Sequence, residues 1–420
     1  MLKRPMISGV NADLLVWAED SPLYRLALGD ADPDREQLYK ALGPSETNCY
    51  AATFALTDAL WRRHPELGLG PDYRLLAEKE HGRDYYNKYR DHCTHMFKVY
   101  LLGLYLYEKQ SKLHEALQSF FAGEADPDRA FLSVWTLAAL YHDMGYLIET
   151  EDGTRDSEAA RFVYARLTEA LALPLTRLYP KVFGLGTEAG QQKALRKKNL
   201  MIPAVVETLK DLEEKLALLK GFGSSVGLCV EADGNPLKAY YDYLPKRRAK
   251  RSYYDHGVVS ACILLFVRDA LVKYVQESRE AGFSETQRAK LQEFLAGAAD
   301  YSRWAELAAR AIALHNVKKD FNAHEALELN QEGVTIGDFR IPLDREPVAY
   351  LLRLCDELQC WDRKRFDVPE DYIFSGDKLS FNTDMGKVSL SVFDPEVRKK
   401  LRDALEGLLE PPARDCVELV

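Results

Sequence analysis

Apolar residues recur at every third or fourth position through most of this chain, a spacing that lays one continuous core-facing stripe along a helix. The pattern predicts helices over Asp91 to Glu108, Arg129 to Ile148, Ser157 to Leu171, Pro203 to Leu219, Asp255 to Gln276, Glu285 to Leu295, Ala305 to Asn316 and Pro347 to Trp361. Breakers stand between them: Gly123 with Pro127, Pro174 with Pro180, the Gly221 to Gly227 run, and Gly234 to Pro236. Near the end the period shortens. Lys378 to Val392 alternates apolar and polar residues around Thr383 to Gly386, which predicts a β-hairpin, with a last helix at Pro395 to Leu409. The expected fold class is therefore mostly α: a helical bundle with a helical insertion and a small C-terminal α+β appendage. In domain terms, residues 1–85 form an N-terminal helical extension, 86–365 the core with an insertion at about 150–252, and 366–420 the appendage.

A chain of 420 residues that is 47% hydrophobic and 29% charged has the balance of an ordinary globular protein. Its net charge of −9 disfavours extended nucleic-acid binding, which draws on a concentrated positive field. The seven cysteines are odd in number, scattered, and without the spacing of a disulfide framework or zinc ribbon, so a reducing compartment is expected. Met1 to Val16 lacks the basic start and apolar core of a signal peptide, and Val258 to Val267 is too short to span a bilayer. A cytoplasmic protein with no membrane partner is the expectation. Gly221, Gly223 and Gly227 follow a helix rather than a strand and lack the Lys-Ser/Thr ending of a phosphate loop, so they read as a flexible joint.

The chemistry lies in polar residues set inside apolar helices. His142-Asp143 ends the segment Leu140-Tyr141-His142-Asp143-Met144-Gly145-Tyr146. His95 lies in Asp91-His92-Cys93-Thr94-His95-Met96, His256 in Tyr254-Asp255-His256-Gly257, His315 in Ala313-Leu314-His315-Asn316, and Asp356 in Leu354-Cys355-Asp356-Glu357. Any one of these histidines taken alone would read as a hydrogen-bonded core residue. Burying all of them is unfavourable unless something pairs with them, and a shared cation would do so. Four imidazoles and two carboxylates suit Mn, Fe, Co, Ni or Zn better than Ca, which prefers oxygen throughout, and a carboxylate beside a histidine can bridge two ions.

The order His, His-Asp, His, His, Asp resembles the HD superfamily of metal-dependent phosphohydrolases over roughly residues 85 to 365. The words Tyr141-His142-Asp143-Met144-Gly145, Asp255-His256-Gly257 and Leu354-Cys355-Asp356 sharpen the likeness. The resemblance implies an HD-domain core in which His95, His142, Asp143 and Asp356 hold one divalent ion, and Asp143, His256 and His315 the second. The ions would be Mn, Fe, Ni, Co or Zn, with Mg also compatible, and a hydroxide bridging them would attack phosphorus. The implied activity is hydrolysis of a phosphomonoester, phosphodiester or nucleotide. Many HD phosphodiesterases carry Lys where this chain has Tyr146, and the Gly-Tyr-Pro word of the cyclic-di-GMP enzymes is missing after His315. That substrate is disfavoured.

With Tyr146 beside the His-Asp pair as a candidate catalytic residue, the phosphate charge needs a cation elsewhere. Lys246 to Arg251 precedes the His256 helix, and Arg251 is the residue best placed for bidentate contact; it is a candidate both for catalysis and for substrate binding. His92, Lys98 and Arg353 lie about one helical turn from expected ligands and are further substrate-binding candidates. Asp255 reads as a helix N-cap. A small phosphorylated partner, a nucleotide above all, is expected, and the chain leaves room for a homo-oligomer. Two alternatives carry the same ligands: a di-iron oxygenase of the superfamily, and a non-catalytic nucleotide-binding sensor.

Overall fold

The computed structural model describes residues 7–29, 32–43, 46–68, 70–71, 73, 76, 91–147, 228–230, 256–277, 285–316, 334–336, 340–363 and 374–420. The chain is mostly α. In chain order the helices are α1 (Gly9–Asp20), α2 (Pro22–Leu28), α3 (Asp32–Ala41), α4 (Glu46–Arg63), α5 (His92–Lys109), α6 (Ser111–Phe120), α7 (Pro127–Tyr141), α8 (His256–Glu277), α9 (Glu285–His315), α10 (Pro347–Leu358) and α11 (Pro395–Leu405). The strands are β1 (Leu228–Val230), β2 (Val334–Ile336), β3 (Ile341–Pro342), β4 (Leu379–Asp384), β5 (Lys387–Val392), β6 (Leu409–Glu410) and β7 (Val417–Leu419). Two compact units result, one of residues 1–60, 76–139 and 340–420, the other of 61–75 and 140–339.

At the centre of the first unit runs α5, buried from His92 to Tyr107. A helix apolar on every side belongs inside a core, and α5 is packed by α1, α2, α6, α10 and β5. Trp135 of α7 donates its indole N–H to the Tyr100 carbonyl at 2.9 Å, and Phe131 stacks on Tyr107 with ring centroids 3.8 Å apart. The last turn of α5 carries Glu108, whose carboxylate accepts from the Trp17 indole at 2.6 Å, the Ser21 hydroxyl at 2.9 Å and the Leu23 N–H at 2.9 Å. One charge thus fastens the α1–α2 corner.

The expected hairpin is present as β4 and β5, turning through Met385 and Gly386, both at positive φ (45° and 76°). That pair of left-handed residues matches the twist of the flanking strands. A third strand, β7, pairs parallel to β5, which three residues of sequence were too short to announce. The expected last helix stops at Leu405 rather than Leu409, as Gly407 takes φ 74° and the chain leaves for β6. Its start is capped by Asp394, which accepts the N–H groups of Glu396 and Val397. The hairpin is also held by helix α1: Asp13 accepts the Phe381 N–H at 2.7 Å. The N-terminal helices, α5 and the C-terminal strands accordingly share one compact unit.

In the second unit α8 packs against α9 and against the short 3-10 turn Met144–Leu147, while β1 and β2 form an antiparallel pair. Glu285 to Leu295 and Ala305 to Asn316 are one helix, α9, rather than two. The small residues Ala296, Gly297, Ala298 and Ala299 interrupt the apolar stripe without breaking the backbone. The expected helix Arg129 to Ile148 ends early, at Tyr141. Tyr73 donates its hydroxyl to the Leu140 carbonyl at 2.7 Å, satisfying one of the acceptors that a helix end leaves open. The helices expected at Ser157 to Leu171 and Pro203 to Leu219, and most of the insertion, lie outside the described residues. Among the described residues no helix is long and apolar enough to cross a membrane.

Glu108→Leu removes one acceptor shared by three donors and should lower unfolding stability by about 2–3 kcal/mol, the scale of a lost charge-assisted hydrogen bond with donors left behind. Urea denaturation followed by circular dichroism measures it; an unchanged midpoint would mean that water satisfies those donors equally well.

Candidate metal centre

In the second unit, His142 and Asp143 form the turn that follows α7. His256 opens α8 and His315 closes α9. All four side chains are buried. Asp143 stands among the imidazoles: Oδ2 is 3.5 Å from His142 Nε2, and Oδ1 is 3.4 Å from His256 Nε2 and 3.9 Å from His315 Nε2. The His142 and His256 rings each lie edge-on to His315, with centroids 5.1 and 5.3 Å away.

The turn reaches α8 because Gly145 has no side chain. A Cβ there would stand 2.2 Å from the His256 carbonyl oxygen, so only glycine admits this approach. Its N–H donates to Ser260 Oγ at 2.7 Å, one turn along α8. Tyr146 then stacks on His256, ring centroids 4.3 Å apart and planes 22° from parallel.

Hydrogen bonds orient two of the rings. His315 Nδ1 donates to the Ile312 carbonyl at 2.6 Å, which leaves Nε2 as the lone-pair nitrogen on the Asp143 side. The Asn316 amide nitrogen donates to His256 Nδ1 at 3.3 Å.

The donor set fits a metal ion. Nitrogen and oxygen ligands at about 2.1 Å from one ion stand about 3.4 Å apart in a tetrahedron and about 3.0 Å apart at right angles. The separations of Asp143 from His256 and His142 are close to that size, the one from His315 is longer, and all three exceed those of good hydrogen bonds. One ligand atom each from His142, Asp143 and His315 lie within 4.8 Å of one another. The chemistry agrees, since imidazole with carboxylate suits borderline first-row metals.

The other two expected ligands face each other in the first unit. His95 Nε2 is 2.9 Å from Asp356 Oδ1. Behind them lies a polar chain whose every orientation is determined. Gln359 Nε2 donates to the Trp361 carbonyl at 2.8 Å, so its Oε1 faces His95 Nδ1, with which it is hydrogen-bonded. The Trp361 indole donates to Asn11 Oδ1 at 2.9 Å, so Asn11 Nδ2 is the atom that donates to Asp362 Oδ2 at 2.7 Å. Asp362, at φ 52°, also accepts the Gly376 N–H at 2.9 Å and the Lys98 ammonium at 3.1 Å. Burial opposes charge on Asp362, but Lys98, the Gly376 N–H and Asn11 outweigh it and hold the carboxyl below its ordinary value. Burial likewise opposes charge on Lys98, and Asp362, with Cys49 and Asp91, more than restores it.

No family model, curated protein or solved structure matches this chain.

Among the sequence candidates for substrate binding, Lys98 is spent on Asp362, and Arg353 forms an i, i+4 ion pair with Glu357 at 2.6 Å. His92 is buried at the start of α5. Arg251, the rest of the Lys246 to Arg251 run, and Asp255 lie outside the described residues. Gln359, Ser260, Asn316, Asn11 and Asp362 were not singled out from sequence. Ser260 had left a signal, a hydroxyl one turn after His256 in the apolar run Gly257 to Val267. Gln359 had not, because a glutamine just past a helix end reads as surface.

Gly145→Ala should destabilise the protein by about 1–3 kcal/mol, as overpacking against backbone does. Gly123→Ala, where a Cβ would meet nothing within 4 Å, is the control and should change little in the same urea titration. The Asp362 carboxyl is depressed, so its stabilisation is present above the ordinary value of 3.8 and is lost as pH falls through its folded value. The raised Lys98 gives the mirror case, stabilising below 10.5 and losing that contribution as pH rises through its folded value. Stability should therefore decline less steeply with acid in Asp362→Asn than in the wild type, and parallel curves would refute the assignment.

Proposed function

We propose that the chain is a metal-dependent phosphoric ester hydrolase acting on a nucleotide or another small phosphorylated molecule. One observation carries the reading: the buried Asp143 carboxylate stands 3.4–3.9 Å from Nε2 of three histidines brought in by separate segments. His142, Asp143, His256 and His315 would hold the metal. The likeness of the sequence to the HD superfamily adds His95 and Asp356 to the ligand set and raises the number of ions to two.

When bound, such ions activate water near neutral pH and stabilise charge on phosphoryl oxygens. The chain's own groups do the rest. Asp143 supplies the negative charge that selects a cation. The Ile312 carbonyl holds His315 in the tautomer whose lone pair faces Asp143. Gly145 and Ser260 fix the turn against α8, and Tyr146 covers one face of His256 while offering a phenol hydroxyl to substrate. The preference for a hydrolase over an oxygenase rests on the superfamily likeness, in which hydrolases predominate.

His142→Ala and Asp143→Ala should each lose bound metal and activity together, at least a hundredfold in turnover of bis-p-nitrophenyl phosphate with manganese, since removing a ligand removes the activated water. Tyr146→Phe should lower turnover with metal content near normal. Full activity in metal-free Asp143→Ala would exclude the mechanism. Oxygen uptake by the iron-loaded protein, without phosphate release from any nucleotide, would move the assignment to the oxygenase.

A further inference from the structure

The carboxamide of Gln359 is buried, and its setting leaves it no choice of orientation. The Trp361 carbonyl can only accept, so the amide nitrogen is the atom that stands 2.8 Å from it. The amide oxygen is then the atom presented to His95, and because an amide oxygen can only accept, His95 Nδ1 carries the proton. Nε2 of a neutral His95 is consequently a lone pair aimed at the Asp356 carboxylate, 2.9 Å away. Two electron-rich atoms at that distance repel unless a proton or a cation lies between them. With Gln359 holding Nδ1–H, the His95–Asp356 contact is completed either by a second proton on Nε2 or by a cation.

The support continues outward. Trp361 is fully buried, and its indole N–H, a donor only, fixes the carboxamide of Asn11. Asn11 in turn donates to Asp362, which Lys98 and the Gly376 N–H also hold. Helix α1, far from His95 in sequence, thereby supports the residue that sets the ring.

We propose that Gln359 is a positioning residue for metal binding: it holds His95 protonated at Nδ1 with Nε2 facing Asp356, and Trp361 and Asn11 hold Gln359 in that setting. The inference rests on the reading of His95 and Asp356 as ligands. A group that fixes the tautomer of a ligating histidine commonly changes metal affinity 10–100-fold when removed.

The test measures cobalt and manganese binding to the full chain by equilibrium dialysis, together with the visible spectrum of bound cobalt and the thermal midpoint, for Gln359→Leu, Gln359→Glu, Asn11→Ala and His95→Ala. Gln359→Leu removes both the acceptor for His95 and the donor to Trp361; Gln359→Glu keeps the acceptor and loses the donor. We expect affinity at one ion to fall at least tenfold in Gln359→Leu and to return most of the way in Gln359→Glu, although both variants lose thermal stability. Asn11→Ala should fall between them and the wild type. Should Gln359→Leu not fold, Gln359→Met, of matching length and without the acceptor, takes its place. Equal affinity in the Leu and Glu variants would overturn the inference, because a purely structural role lowers both alike. If His95→Ala loses an ion while Gln359→Leu binds like the wild type, the inference about Gln359 fails alone. If His95→Ala binds metal like the wild type, His95 is not a ligand and both readings fall.

Discussion

A carboxylate taken out of water is unfavourable by several kcal/mol until its charge is met, and the second unit is arranged around that constraint at Asp143. The charge sits in a turn that could not approach α8 if residue 145 carried a side chain. Ser260 takes the N–H that this close approach would otherwise bury without a partner. Histidines at opposite ends of α8 and α9, the first residue of one and the last of the other, converge on the same oxygen. None of the three imidazoles is bonded closely to the acid. His142 and His256 stand off from it by about the distance that ligands of a common ion keep, and His315 by somewhat more.

The first unit meets the same constraint in two ways. At Asp362 the charge is answered inside the protein, by the Lys98 ammonium and two N–H donors, and nothing further is needed. At Asp356 the neighbouring His95 has its Nδ1 proton committed to Gln359, so the contact between the two is completed by a second proton or a cation at Nε2. A fully satisfied polar network stiffens a core and specifies its arrangement. The two cases lie on one continuous chain of hydrogen bonds. The rigid end, at Asn11 and Asp362, holds the receptive end in register.

Much of this was legible in the sequence. The period of about 3.6 located α5, α8, α10 and most of α7 to within a few residues, and the switch to alternation located the hairpin. It failed where local pattern carries too little information. The expected helix at Arg129 to Ile148 ended at Tyr141, because a tertiary hydrogen bond from Tyr73 and the contact at Gly145 outweigh the helical preference of Met144 to Ile148. The apolar stripe lapses between Leu295 and Ala305, so the sequence reads two helices where the backbone runs as one, since small residues neither extend an apolar stripe nor break a helix. Lys98 and Arg353 looked available for substrate, yet each had an acid of its own, one from a distant turn and one a helical turn away.

The sequence by itself determined the helical class and which polar side chains stand inside apolar segments, because burial on a helix is written in spacing that any short window contains. It determined the identity of the donors for the same reason. Only the tertiary structure decided that His142, Asp143, His256 and His315 share one small volume, that Lys98 turns to Asp362, and that Gln359 dictates the proton on His95. Those facts depend on segments one to three hundred residues apart coming into register to a fraction of an ångström. Packing sets that register, and no local pattern encodes it.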